Sequence, residues 1–142
     1  RQAAEQAATD AVTGLANRKG FADGIDRLCR ERLDPRHSLV ILSLQIQRFK
    51  QVNDRHGYDT GDALLREIAT AMRTASPAEA VVARLSGDEF AIACCLPATA
   101  TADAEILAET LLQEISRTYD IAGTYVQVGA FAGIAGAAPG QP

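Results

Sequence analysis

Arg84-Leu85-Ser86-Gly87-Asp88-Glu89-Phe90 lies between two short apolar runs. Ala80 to Leu85 reads as a short strand, and Glu89 to Leu96 as another. Ser86-Gly87-Asp88 is turn chemistry, because serine and aspartate bond back to nearby backbone and glycine relaxes the steric limits. Two such runs with this spacer predict a β-hairpin.

The rest of the chain supplies partners for that hairpin. Upstream, Leu39 to Ile46 is almost wholly apolar and too short for a typical helix, so it predicts a buried central strand. Phe49 to His56 predicts a short helix. Asp62 to Thr74 places Leu64, Leu65, Ile68 and Met72 on one face, a long helix. Asn17 to Leu33 carries a helical stripe of Phe21, Ile25, Leu28, Cys29 and Leu33, which Pro35 ends. Downstream, Thr101 to Ile115 aligns Leu107, Ala108, Leu111 and Ile115, a third long helix. Tyr125 to Ala135 predicts a final strand. Strands alternating with helices around a central hairpin predict an α/β (α+β) fold, with a mixed sheet flanked by helices.

The chain has 142 residues, enough for one domain with a real core. Apolar residues make up 47% and charged residues 23%, ordinary for a globular chain. The net charge of -4 and the lack of any basic run argue against a nucleic-acid surface. Cys29, Cys94 and Cys95 lack metal-ligand spacing. Cys94 and Cys95 read as buried free thiols, which favours a reducing, cytoplasmic setting. The longest apolar stretch, Phe90 to Leu96, is far too short to span a bilayer. The first residue is Arg1, so a fragment of a longer protein is expected, with any membrane anchor placed in the parent chain.

Three segments in order carry a family resemblance. They are Asp10-Ala11-Val12-Thr13-Gly14-Leu15-Ala16-Asn17-Arg18, then Phe49-Lys50-Gln51-Val52-Asn53-Asp54 with Gly57 and Gly61-Asp62-Ala63-Leu64-Leu65, then Arg84 to Phe90. Gly133-Ile134-Ala135 is a fainter fourth match. Together they resemble the GGDEF domain, the diguanylate cyclase module, over residues 10–135. The resemblance implies a largely antiparallel sheet like the palm of nucleotide cyclases and polymerases, with a signature hairpin. It makes residues 1–9 the end of an upstream linker helix and 136–142 a disordered tail. The family's last helix and strand, with a phosphate-holding lysine and arginine, would follow beyond residue 142.

Active members condense two GTP molecules into cyclic di-GMP, one GTP per protomer of a dimer. Divalent ions, Mg2+ or Mn2+, neutralise the triphosphate and polarise the attacking hydroxyl. Carried over by position, Asn53 and Asp62 match the pair that binds guanine. An amide offers donor and acceptor, and a carboxylate accepts from ring N–H and exocyclic amine. For Asp62, helix capping is the competing account. Arg48, Phe49 and Lys50 match the phosphate-binding segment; Phe49 reads as a core residue, and a solvated surface position is the competing account for Lys50. Gly87 belongs to the nucleotide-contacting signature. Asp88 and the Ile46 backbone carbonyl match metal ligands. Glu89 matches the acid needed for catalysis.

The departures fall on the metal side. The family pattern Asp-x-Asp-x-Phe-Lys is here Gln45-Ile46-Gln47-Arg48-Phe49-Lys50. Gln45 stands where a direct carboxylate ligand is expected. Mg2+ is a hard cation that favours charged oxygens. Losing a metal contribution is worth several kcal/mol, roughly a thousandfold or more in rate. Ser86 replaces the first signature glycine, where positive φ and close ligand approach are usual. Pro77 and Ala80 occupy the positions of the family's inhibitory Arg-x-x-Asp site.

The expected function is therefore a degenerate GGDEF module in cyclic di-GMP signalling, catalytically weak or inactive. It would bind GTP or another guanine nucleotide and regulate a neighbouring sensor or EAL-type phosphodiesterase domain, alone or as a homodimer. Two alternatives stay open: an active diguanylate cyclase, and a ligand-free dimerisation or relay domain.

Overall fold

The computed structural model describes residues 7–31, 36–97 and 101–136. The elements are α1 (Arg18–Glu31), β1 (His37–Ile46), α2 (Phe49–His56), α3 (Tyr58–Ala75), β2 (Val81–Ser86), β3 (Glu89–Pro97), α4 (Thr101–Ile115), β4 (Thr118–Ile121), β5 (Thr124–Gln127) and β6 (Ala130–Gly136). Strands β2-β3-β1-β6 form one sheet in that order, and β4-β5 form a small separate hairpin. All the paired ladders are antiparallel. The sole parallel contact among the described residues is an isolated bridge between Ala16 and Ala83.

The alternation along β1 decides where the core lies. Leu42, Leu44 and Ile46 are buried on one face, while Ser43 and Gln45 face out on the other. On the first face they pack with Phe90 and Ile92 of β3, Leu64, Leu65, Ile68 and Met72 of α3, and Leu111 and Ile115 of α4. Each of these large side chains, once fully buried, contributes about 1.5–3 kcal/mol. A smaller cluster covers part of the other face: Phe21 and Leu28 of α1 lie against Val81, Ala83, Ala91 and Ala93. The open remainder of that face holds Gln45.

Several expectations need adjusting. The run from Tyr125 to Ala135 is two strands, interrupted at Val128 and Gly129. Its first half pairs with β4, which the sequence reading did not assign. The β4–β5 turn has Ala122 at φ 51° and Gly123 at φ 89°. Two positive φ values are the hairpin-forming arrangement. Alanine in place of the usual asparagine hid it. Tyr119 anchors this hairpin: its buried hydroxyl donates to the Ile115 carbonyl at 2.7 Å, and burial pushes its pKa up to about 12.

α3 begins at Tyr58, four residues before the expected start. Asp62 is thus inside the helix and does not cap it, which removes the capping account. Gly57 serves both α2 and α3. At φ 92° it ends α2, its N–H bonding the Asn53 carbonyl, and its own carbonyl accepts from Gly61. Cys29, placed in the α1 stripe, is exposed, Cys95 is half-buried, and Cys94 is fully buried. Leu33, Pro35 and the tail 137–142 lie outside the described residues. So do residues 1–6 of the expected incoming helix, and Ala7 to Asp10 form no helix.

Candidate functional site

The signature hairpin is short and bulged. Gly87 and Asp88 form its turn between β2 and β3. Arg84 faces Phe90 and Ser86 faces Glu89, so Leu85 is an extra residue on β2. Such a bulge increases local twist and re-aims the strand end. No positive φ occurs at Ser86, Gly87 or Asp88. The backbone reason for glycine at position 86 therefore does not apply here, and serine is accommodated as an ordinary strand residue. A side chain at Gly87 would meet open space.

Register brings the metal-side positions together. Gln45 of β1 lies between Glu89 of β3 and Phe131 of β6. The Ile46 N–H donates to the Asp88 carbonyl at 2.9 Å, and the Gln47 N–H donates to the Gly129 carbonyl at 2.9 Å. Asp88 and Glu89 are half-buried, and Gln45 is exposed. Among the described residues, no three His, Cys, Asp or Glu side chains converge as a cation site. The local donor set is two carboxylates, neutral amides and backbone carbonyls.

The nucleotide-side positions sit on α2 and α3. Phe49 is buried and packs into the core. Lys50 is exposed and ion-pairs with Asp54 at 3.1 Å. Arg48, just before α2, has φ 61°. Asn53 faces Gly61, and a Cβ at Gly61 would overlap the Asn53 amide oxygen and press on Phe49. That oxygen is buried without a hydrogen-bond partner. Asp62 follows Gly61 directly and is half-buried. Asn53 and Asp62 thus flank the same close crossing of two helices.

The entry segment was legible as a motif, but its function as a brace was not. Asp10 accepts from the Thr13 N–H at 2.8 Å and the Thr13 hydroxyl at 2.7 Å. It also accepts from Arg84 Nη1 at 3.0 Å. Arg84 Nε and Nη2 donate to the Gly87 carbonyl at 3.2 and 3.1 Å. Burial works to raise the Asp10 pKa, but the bonds from Thr13 and Arg84 outweigh it and hold the carboxyl below its ordinary value. Asn17 caps α1 through its side-chain oxygen on the Gly20 N–H at 2.9 Å.

Residues 7–141 match the family model for the diguanylate cyclase GGDEF domain. This chain belongs to the GGDEF family. Among curated proteins, the GGDEF chain is 35% identical over 135 residues to the bifunctional diguanylate cyclase/cyclic di-GMP phosphodiesterase MucR of Pseudomonas aeruginosa. That alignment covers 95% of this chain and 19% of MucR. It is 39% identical over 137 residues to the probable diguanylate cyclase DgcE of Escherichia coli, covering 94% of this chain and 12% of DgcE. The GGDEF domain thus spans less than a fifth of those two relatives.

Among solved structures, it superposes on the GGDEF domain of TpbB from Pseudomonas aeruginosa with a TM-score of 0.80 and 33% identity, covering 90% of this chain and 74% of that one. It also superposes on the coiled-coil and GGDEF domain of DgcB from Caulobacter crescentus, solved with c-di-GMP, with a TM-score of 0.80 and 30% identity. That match covers 99% of this chain and 74% of that one. The antiparallel sheet flanked by helices is the fold of these neighbours. Among the described residues, no helix is long and apolar enough to cross a membrane.

Proposed function

We propose that this GGDEF domain is a guanine-nucleotide-binding regulatory module of a multidomain protein in cyclic di-GMP signalling, with weak or no cyclase activity of its own. The observation that carries the reading is the pairing of Gln45 with Glu89 across β1 and β3. A neutral amide stands at the strand position where the family pattern puts a carboxylate, and Gln47 repeats the change two residues on.

Diguanylate cyclases of this family generally use Mg2+. When bound, the ion would polarise the attacking hydroxyl and neutralise phosphate charge. Asp88 and the Ile46 carbonyl are the donors we assign to it, with Glu89 beside them as the catalytic acid if turnover occurs. One charged oxygen ligand is lost at Gln45, so this set does not fit a firmly held Mg2+ or Mn2+.

The guanine side supports binding. Asn53 holds a buried, unpartnered amide oxygen, and buried polar atoms without partners are uncommon. Asp62 is half-buried beside it. We assign Asn53 and Asp62 to guanine, and the 48–50 backbone, Lys50 and Gly87 to the phosphates. A sensor domain, an EAL-type domain and a second copy of the chain are the proposed partners.

GTP titration with and without Mg2+ tests the reading. Saturable binding in both conditions, weakened by Asn53→Ala and by Asp62→Ala, is expected. No binding in either condition contradicts it and leaves the ligand-free relay.

A further inference from the structure

On the flank of α2 that faces the β4–β5 hairpin, two clefts of about 250 and 360 Å3 adjoin, sharing Arg48 and Gln127 as walls. No aspartate or glutamate lines either one. That runs against the composition, in which 18 acidic residues outnumber 14 lysines and arginines. The first cleft instead presents Arg48, Arg55 and His56. Some basic side chains elsewhere pair with acids, Lys19 with Asp23, Arg27 with Glu31, Lys50 with Asp54 and Arg84 with Asp10, while Arg66 and Arg117 donate to backbone carbonyls. Among the described residues, Arg48 and Arg55 have no side-chain hydrogen bond or ion pair.

Arg48 is also one of only two non-glycine residues at positive φ among the described residues, at 61°. Non-glycine residues in the left-handed region are uncommon and concentrate at ligand clamps. The groove shares residue 48 with the segment assigned to the nucleotide phosphates, but its side chains lie on the flank of α2 away from Asn53. Residues 53 and 55 are about 200° apart around a helix at 3.6 residues per turn. Asn53 faces Gly61 of α3, while Arg55 faces β5.

We propose that the groove binds a small phosphomonoester carrying a planar ring. Two unpaired guanidinium forks match phosphate oxygens, each able to donate in pairs. The Tyr125 ring, 72% exposed on the cleft wall, offers a face for stacking. Gln51 and Gln127 add amide donors and acceptors for the ring edge or the ester. The cleft of about 250 Å3 that holds Arg55 and Tyr125 has room for one ring with its phosphate, and the adjoining cleft of about 360 Å3 extends the groove past Arg48.

The test uses phenyl phosphate and inorganic phosphate as probes, followed by amide chemical shifts and calorimetry on the 142-residue chain. Phenyl phosphate is expected to saturate and to shift α2 and β5 resonances. Arg55→Gln and Arg48→Gln should each weaken it at least about tenfold, as expected on losing a charge-assisted contact. Tyr125→Ala should weaken phenyl phosphate but leave inorganic phosphate unchanged. Asn53→Ala should leave both probes unchanged, which separates this groove from the guanine side. Arg48→Gly removes the guanidinium while suiting the left-handed backbone, so it keeps the test valid should Arg48→Gln fold poorly.

Several results would overturn the proposal. Absence of saturation is one, and unchanged affinity in Arg55→Gln is another. Loss of binding in Asn53→Ala would move the site to the other flank of α2. A poly-glutamate peptide that shifts these resonances while phenyl phosphate does not would make the groove a protein-docking surface.

Discussion

The Arg84 guanidinium lies 3.0 Å from the Asp10 carboxylate, with both side chains largely withdrawn from solvent. Through its other two nitrogens, Arg84 holds the Gly87 carbonyl at the hairpin turn. One side chain therefore ties the entry segment to the loop that carries Asp88 and Glu89. The positions we assign to catalysis and metal are set by residues 74 apart in sequence.

Acidification is expected to weaken this brace. Asp10 titrates below its ordinary value in the folded chain. Its stabilisation is therefore complete above the unfolded carboxylate pKa of about 3.9 and is lost as pH falls through the lower folded value. Asp10→Asn should destabilise the domain at neutral pH by about 1.5–3 kcal/mol, the range for a hydrogen bond to a charged group. It should also flatten the acid limb of the stability curve. Denaturant unfolding at several pH values checks this; a parallel acid limb in the variant would contradict it.

Gly61 and Asn53 are expected to behave as a coupled pair. A Cβ at position 61 would overlap the Asn53 amide oxygen. Gly61→Ala should cost about 1–3 kcal/mol by overpacking. In the Asn53→Ala background the same change should cost much less, because the obstructing group is gone. A double-mutant cycle by chemical denaturation measures the coupling, and additive effects would show that the helix crossing is not limited by this contact.

The three cysteines should separate cleanly in reactivity. Burial pushes the Cys94 thiol up to about 11, ahead of smaller contributions from Glu79 and Cys95. At pH 8 only about a thousandth of such a thiol is thiolate, and the thiolate is the nucleophile. Cys29, exposed on α1, should be alkylated first in the native chain. Cys94 should react only after denaturation. Mass mapping of iodoacetamide adducts checks the order.

Much of this fold was legible because burial sets period and length. The apolar run from Leu39 to Ile46 and the stripe of Leu64, Leu65, Ile68 and Met72 are core signals, and the core formed where they pointed. Helix ends and turns were less legible. Tyr58-Asp59-Thr60-Gly61 has weak helix propensity, yet the turn at Gly57 and the packing of Gly61 on Asn53 extend α3 through it. The β4–β5 hairpin was hidden by Ala122, which adopts a conformation usually left to asparagine or glycine. The candidate site residues were named by motif position; their arrangement was not legible, because the Arg84 brace and the cross-strand pairing of Gln45 with Glu89 depend on register.

The most direct measurement is cyclic di-GMP formation from GTP with Mg2+ or Mn2+, comparing wild type, Gln45→Asp and Asp88→Ala in the full-length protein. The account predicts negligible product from wild type and from Asp88→Ala, and an increase of about tenfold or more in Gln45→Asp as a charged metal ligand returns. Robust product from wild type that Asp88→Ala abolishes would contradict it and make this GGDEF domain a working cyclase.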